Sequence, residues 1–267
     1  MRTRPFPKRP GRIRRINGRG FMKRVRFQVN GETLAGRFED GRLVAEDGRD
    51  FGTDEVTWLP PLVPGTIYGL ALNYHDHSEE LGLEIPTTPV LFIKARNTLI
   101  GHEQPVVAPP GVDYMHYEAE LGVIIGRQGR HIKAARALDY VGGYTIVNDV
   151  TVRDFVTNMY RPPVKAKGFD TFGPIGPWVV EDEVADPHTL GVRTYVNGEA
   201  RQEGNTRDLI FDIPAIIEYI SAFATLNPGD MILTGTPKGI SHIYPGDTMR
   251  IVIDGVGALE NPVISGE

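Results

Sequence analysis

The chain has 267 residues, 24% of them charged, a formal net charge of −5, and no cysteine. That length is enough to bury a substantial core, as one large domain or a large domain with a smaller companion. The lack of cysteine excludes disulfides, thiolate nucleophiles and thiolate metal sites together, which suits a cytoplasmic protein. No apolar run approaches the roughly eighteen residues that span a bilayer, and no secretory-type apolar segment opens the chain, so no membrane partner is expected.

Charge is unevenly distributed. Met1 to Phe21 holds eight Arg or Lys residues and no acid, and subtracting this +8 from −5 leaves −13 for the remainder. Such a segment suits an anionic surface, a disordered extension, or sequence upstream of a true start at Met22. It has no interleaved aromatic stacking platform, and no nucleic-acid partner is expected. We therefore read residues 1–21 as a basic, disordered tail.

From Val25 to Trp58 the pattern is short strands separated by Asn30-Gly31, Asp40-Gly41 and Asp47-Gly48, dipeptides that supply the positive φ angles of tight hairpins. Leu59-Pro60-Pro61-Leu62-Val63-Pro64-Gly65 then reads as a stiff linker. Residues 22–64 are accordingly expected to form a small N-terminal β domain with its linker, and residues 65–267 a larger one.

In the larger part, short β-branched runs predict strands at Ile67 to Leu72, Val90 to Lys94, Leu121 to Ile125, Tyr144 to Val147, Trp178 to Val180, Val192 to Val196, Met231 to Leu233 and Met249 to Ile253. Helical periodicity is confined to Ile132 to Asp139, Thr151 to Tyr160 and Asp212 to Ala224. The last has Ile216, Ile217, Ile220 and Phe223 on one face. The expected fold class is mainly β with some α. Asn227-Pro228-Gly229-Asp230 and Tyr244-Pro245-Gly246-Asp247 read as turns of similar chemistry rather than as a repeat.

Chemistry concentrates on three carboxylates. Glu118 and Glu120 are i, i+2 neighbours, so in a strand they share a face. They are the only charges between Tyr114 and Ile125, with His116 a possible neighbour, where a solvated strand would carry more. Two carboxylates pinned together must be protonated, paired with a cationic side chain, or bound to a cation. Asp149, closing the run Tyr144-Thr145-Ile146-Val147-Asn148, favours the cation. Oxygen-only ligation points to Mg²⁺ or Mn²⁺.

Other polar clusters sit at strand ends. In Asn73-Tyr74-His75-Asp76-His77-Ser78-Glu79-Glu80, a helical turn makes His77 and Glu80 neighbours, and a carboxylate there would fix the imidazole tautomer for proton transfer. His75, His116, His131, His188 and His242 lack such support. Lys165-Ala166-Lys167-Gly168-Phe169-Asp170 reads either as a solvated edge or as a source of fixed positive charge where negative charge develops. Thr234-Gly235-Thr236-Pro237 is either a plain turn or a set of N–H and O–H groups that receive a carboxylate.

Taken in order, Asn73-Tyr74 with His77-x-x-Glu80, Phe92-Ile93-Lys94, Tyr117-Glu118-Ala119-Glu120-Leu121, Asn148-Asp149, Lys167-Gly168-Phe169-Asp170, and Leu226-Asn227-Pro228-Gly229-Asp230 leading into Thr234-Gly235-Thr236-Pro237 resemble the fumarylacetoacetate hydrolase family. The resemblance runs from about residue 65 onward. It implies a mixed β-roll of the family's C-terminal type, a homodimer, and a divalent metal held by Glu118, Glu120 and Asp149. It also implies a lid around His77, with His77, Glu80 and Lys167 catalytic.

Within the family, Leu72-Asn73-Tyr74, Tyr114 to Leu121 and Phe223 to Met231 look most like the C-terminal half of bifunctional enzymes of 4-hydroxyphenylacetate (homoprotocatechuate) breakdown. The resemblance thus implies a 5-oxopent-3-ene-1,2,5-tricarboxylate decarboxylase and 2-hydroxyhepta-2,4-diene-1,7-dioate isomerase acting on a di- or tricarboxylate 2-oxo acid. Asn73, Tyr74, Lys94, Arg153, Gly235 and Thr236 are the candidate substrate contacts, with Arg161 a further cation. The alternatives are an acylpyruvate or fumarylpyruvate hydrolase and a catalytically silent metal-dependent binding protein. The presence of all three carboxylates and both dyad residues weighs against the silent binder.

Overall fold

The computed structural model describes residues 23–156, 162–181 and 184–267. The basic tail and Arg161 lie outside the described residues. The first three strands, Lys23–Val29, Glu32–Glu39 and Arg42–Ala45, are joined where the dipeptides require it. Asn30 and Gly31 take φ angles of 49° and 83°, and Asp40 and Gly41 take 50° and 80°. Two successive positive φ angles match the right-handed twist of a hairpin.

Among the described residues the strands form a twelve-stranded sheet, a five-stranded sheet and a two-stranded ribbon, all open. In the large sheet, the central path runs from Lys23–Val29 through Gly173–Val180, Val141–Asn148, Ala119–Ile125 and Met231–Leu233 to Ile67–Ala71. The N-terminal strands therefore pair into the same sheet as the rest, with Lys23 opposite Val180 and Arg24 opposite Val179. They also keep an apolar cluster of their own, built on Val25, Phe27, Leu34, Leu43 and Trp58. Phe38 stacks on Trp178 at 4.6 Å between ring centroids and joins that cluster to the main body.

The expected strands form; Leu72 and Lys94 fall just outside theirs, and others run longer where neighbours extend the ladder. Ala119–Ile125 is buried along its whole length because it is central, paired with Val141–Asn148 on one side and Met231–Leu233 on the other. Its Leu121, Val123 and Ile125 pack with Ile146, Val192, Ile251 and the apolar face of a helix in the largest core cluster.

The described α-helices are α1, His75–Glu80; α2, Val164–Lys167; and α3, Ile213–Phe223. α3 matches the expected periodicity. Asp212 caps it by accepting the Ala215 N–H at 2.8 Å, and Ile213, Ile216, Ile217 and Ile220 are buried. Phe223, expected on that face, is instead 55% exposed at the last turn. Nothing in the described residues is a helix long and apolar enough to cross a membrane.

Two helical expectations are corrected. Ala134–Tyr140 is a 3₁₀ helix that buries only Ala137, so it offers no apolar stripe to an α-helix. Thr151–Val152 is a strand paired with Met115–His116, followed by a 3₁₀ turn at Arg153–Phe155. Thr151 and Val152 are β-branched, and pairing overrides the local periodicity there. Residues 157–160 of that expectation lie outside the described ones.

The two Pro-Gly-Asp turns close in the same way. Asp230 N–H donates to the Asn227 carbonyl while its carboxylate accepts the Asn227 N–H; Asp247 and Tyr244 repeat this pattern. Asp230 also accepts the Thr66 N–H at 2.8 Å, and a Cβ on Gly65 would strike its carboxylate oxygen. That close approach seats the proline-rich segment on the main sheet.

Candidate active site

The three carboxylates meet where two adjacent strands end. Ala119 is opposite Asn148, so Glu118 and Asp149 lie side by side just beyond the ladder. Asp149 N–H donates to the Glu118 carbonyl at 2.9 Å, and Glu118 N–H donates to Asn148 Oδ1 at 3.0 Å. Glu120 enters from one residue inside the strand. One oxygen from each of Glu118, Glu120 and Asp149 lies within 4.8 Å of the others. Glu120 and Asp149 are buried, and Glu118 is 9% exposed.

Two lysines partly neutralise this charge. Lys167 Nζ, on α2, lies 2.6 Å from Asp149 Oδ2, 2.8 Å from Glu118 Oε2 and 2.8 Å from Thr151 Oγ1. Its three ammonium protons are thereby used. Burial opposes its charge, but Asp149 and Glu118 more than offset this and hold its pKa above the usual range. Lys94 Nζ lies 2.6 Å from Asp149 Oδ1 and 2.9 Å from the Lys167 carbonyl, and burial pushes it down despite Asp149. Asp149 is pushed up by burial and pulled further down by the two ammoniums, so its pKa lies below the usual carboxylate range.

Glu120 remains poorly compensated. Oε2 accepts the Gly235 N–H at 2.7 Å, whereas Oε1 is buried with no partner among the described residues. Burial, then Asp149 and Glu118, push its carboxyl well above the usual range. An unpartnered buried oxygen beside two further carboxylates is the donor set of a hard divalent cation, and the residues fit one.

The expected dyad forms on α1. His77 Nδ1 is 3.0 Å from Glu80 Oε2, and Glu80 Oε1 accepts the Gly239 N–H at 2.9 Å. A six-residue helix is marginal in water by itself. α1 is held by burial of His77 and Ser78, by the Gly239 contact, and by Asp76 accepting the Lys238 N–H at 3.4 Å.

Several expected substrate contacts have other work. Lys94 is committed to Asp149, because it is too deeply buried to leave its charge unpaired. Asn73 uses both amide protons on the Phe211 and Thr234 carbonyls and accepts the Phe211 N–H, so it pins two loops. Gly235 N–H serves Glu120. Arg153 donates its backbone N–H to the Tyr114 carbonyl and is half-buried in its 3₁₀ turn. Tyr74 is buried, its hydroxyl unpartnered among the described residues and its phenol pushed up by burial. Thr236 Oγ1 accepts from Gln202 Nε2 at 2.9 Å, which leaves its own proton to donate.

Sequence reading passed over Thr151, whose hydroxyl lies 2.9 Å from the Asp149 carbonyl and 3.2 Å from Glu118 Oε1. Its i, i+2 spacing from Asp149 was the available signal. His116, a possible neighbour of the two glutamates by sequence, is buried with Nδ1 3.7 Å from Glu118 Oε1 and is pushed down to about 4, chiefly by burial. Lys165 differs from Lys167: its ammonium lies 3.8 Å from the centre of the Phe155 ring.

Residues 66–264 match the fumarylacetoacetate (FAA) hydrolase C-terminal family. The chain belongs to the fumarylacetoacetate hydrolase family. Among relatives of this family, a 4-hydroxyphenylacetate degradation bifunctional isomerase/decarboxylase from Salmonella dublin is 51% identical over 226 residues, 84% of this chain and 52% of that protein. The chain thus spans about half the length of the curated relatives named for that activity. The crystal structure of a 5-carboxymethyl-2-hydroxymuconate delta-isomerase from Mycobacterium smegmatis is 38% identical, with a TM-score of 0.83 over 92% of this chain and all of that one. Maleylpyruvate hydrolase from Sphingobium sp. SYK-6, solved with manganese(II) and pyruvate, is 31% identical with a TM-score of 0.79, again over 92% of this chain and all of that one.

Proposed function

We propose that the protein is a divalent-metal-dependent 5-oxopent-3-ene-1,2,5-tricarboxylate decarboxylase and 2-hydroxyhepta-2,4-diene-1,7-dioate isomerase of aromatic-acid catabolism. The observation that carries this reading is a buried Glu118–Glu120–Asp149 triad with the His77–Glu80 pair on a short helix of the same chain. The 51% identical Salmonella relative, named for both activities, supports the substrate class. Residues 65–267 are the proposed catalytic unit, Mg²⁺ or Mn²⁺ the proposed ion, a cytoplasmic homodimer the proposed form, and a small 2-oxo acid the only partner proposed besides.

Glu118, Glu120 and Asp149 would hold the ion, which when bound polarises a chelating 2-oxo acid as a Lewis acid. Lys167, charged and with all its protons engaged, acts as fixed positive charge rather than as an acid. In the decarboxylation, the bond to the departing carboxylate carbon breaks and its electron pair enters the conjugated system ending at the ketone oxygen. Lys167 stabilises the negative charge that builds there. His77, oriented by Glu80, moves the proton: delivery to oxygen gives the hydroxydiene, and transfer from that hydroxyl to carbon gives the 2-oxo-3-ene isomer. Thr236 has a free hydroxyl proton for a substrate carboxylate.

A second reading, an acylpyruvate or fumarylpyruvate hydrolase, is favoured by the similarity to maleylpyruvate hydrolase, since the same dyad can activate water. NMR product analysis with the Mg²⁺-loaded protein separates the two. Loss of CO₂ from the tricarboxylate with formation of the heptadienedioate is expected, followed by its 2-oxo-3-ene isomer. Pyruvate from an acylpyruvate, with the tricarboxylate untouched, would establish the hydrolase instead.

A further inference from the structure

A run of hydrogen bonds leads from the residue next to a metal-site carboxylate to the proton-transfer dyad. Tyr117 immediately precedes Glu118 and is fully buried. Its hydroxyl donates to the Gly239 carbonyl at 2.7 Å and lies 2.7 Å from Ser241 Oγ, which is then the donor in that second bond. Gly239 N–H donates to Glu80 Oε1, and Glu80 Oε2 meets His77 Nδ1.

The intervening segment is seated so that only one conformation serves. Gly239 has φ 99°, and a Cβ there would strike the Arg201 carbonyl of the strand Glu199–Asn205. From the same strand Gln202 Nε2 donates to the Pro237 carbonyl at 2.8 Å and to Thr236 Oγ1, while its Oε1 accepts from Thr194 Oγ1 at 2.8 Å. Residues 236–241 are therefore a strap. One end presents Thr236, and the other clamps the carboxylate that orients His77.

We propose that Tyr117 is a positioning residue for the His77–Glu80 dyad, acting through Gly239, so that the strap fixes the proton-transfer group relative to the metal-site strand. This rests on the proposed reading in which His77 moves the proton. Losing the hydroxyl frees the Gly239 carbonyl, and Glu80 then loses its fixed N–H donor without any change in the carboxylate triad.

The test uses full-length, Mg²⁺-loaded protein carrying Tyr117→Phe, Glu80→Ala, or both. Hydrogen exchange at the Gly239 amide, measured without substrate, is expected to quicken in each single variant. With the substrate that the wild type turns over, Tyr117→Phe should lower kcat by up to about tenfold with KM unchanged, the loss that one hydrogen bond carries. Residues acting through one another are non-additive, so the double variant should match Glu80→Ala alone. Losses that multiply, a rise in KM alone, or unchanged exchange at Gly239 would each overturn the proposal. A wild type inactive on both substrate classes would sink the functional reading instead, and the exchange measurement would still decide whether the strap holds Glu80.

Discussion

At the scale of single residues, burial decides which side chains do chemistry and which hold the chemistry in place. His77 lies in the carboxylate-oriented position that proton transfer requires, so His77→Ala should reduce kcat by about 10²–10⁴-fold with KM little changed. Steady-state kinetics check this, and a rise in KM at constant kcat would remove its catalytic role. His102 has a different part. It is pushed down to about 4 by burial, while its Nδ1 accepts the Glu260 N–H at 3.0 Å. The unfolded imidazole titrates near 6.5, so below that pH the unfolded chain takes up a proton that the folded chain refuses. Its contribution is complete above pH 6.5 and declines as pH falls toward 4, by on the order of 3 kcal/mol. Urea melts from pH 7 to 4.5 should show a shallower decline for His102→Gln than for the wild type. Equal slopes would show that the imidazole is not the titrating group.

Among the elements, α3 shows local sequence and tertiary packing agreeing. Its Asp212 cap and its isoleucine face are both legible in the sequence, and both are present. Asp212→Ala should cost about 1 kcal/mol by freeing one N–H, and Ile217→Ala about 2–5 kcal/mol by opening a cavity in the largest core cluster. Chemical denaturation ranks the two, and a larger loss from Asp212→Ala would show the helix held by its cap rather than by its face. Turnover should be unchanged by Asp212→Ala. Thr151–Val152 shows the opposite case: weak helical spacing gives way to pairing with Met115–His116, and Thr151 is thereby brought to Lys167.

For the molecule as a whole, three acids in one buried place store a cost that a cation removes. Binding at a hundred times Kd stabilises the folded state by about 2.7 kcal/mol. Mg²⁺ or Mn²⁺ should therefore raise Tm by about 5–10 °C over the chelator-treated protein. Calorimetry checks the shift, and Glu118→Ala should abolish it. An equal shift in that variant would place the ion elsewhere.

The eight strands expected beyond residue 65, the hairpin dipeptides, α3 and the Glu118/Glu120 pair were legible in the sequence, because each depends on residue type and short spacing. Thr151–Val152, Glu199–Asn205 and Gly257–Ser265 were not, and Asp149 joins the pair only through the pairing of Ala119 with Asn148. The dyad was legible too, since three residues on one helical turn suffice to bring His77 to Glu80. What the tertiary structure decided were partners far apart in the chain. Lys94 meets Asp149 across 55 positions, Gly235 N–H reaches Glu120 across 115, and Tyr117 reaches Gly239 across 122. Residue type declares a capacity to donate or accept, but a buried group must take whatever partner the sheet order brings within about 3 Å, and sheet order is a property of the whole chain.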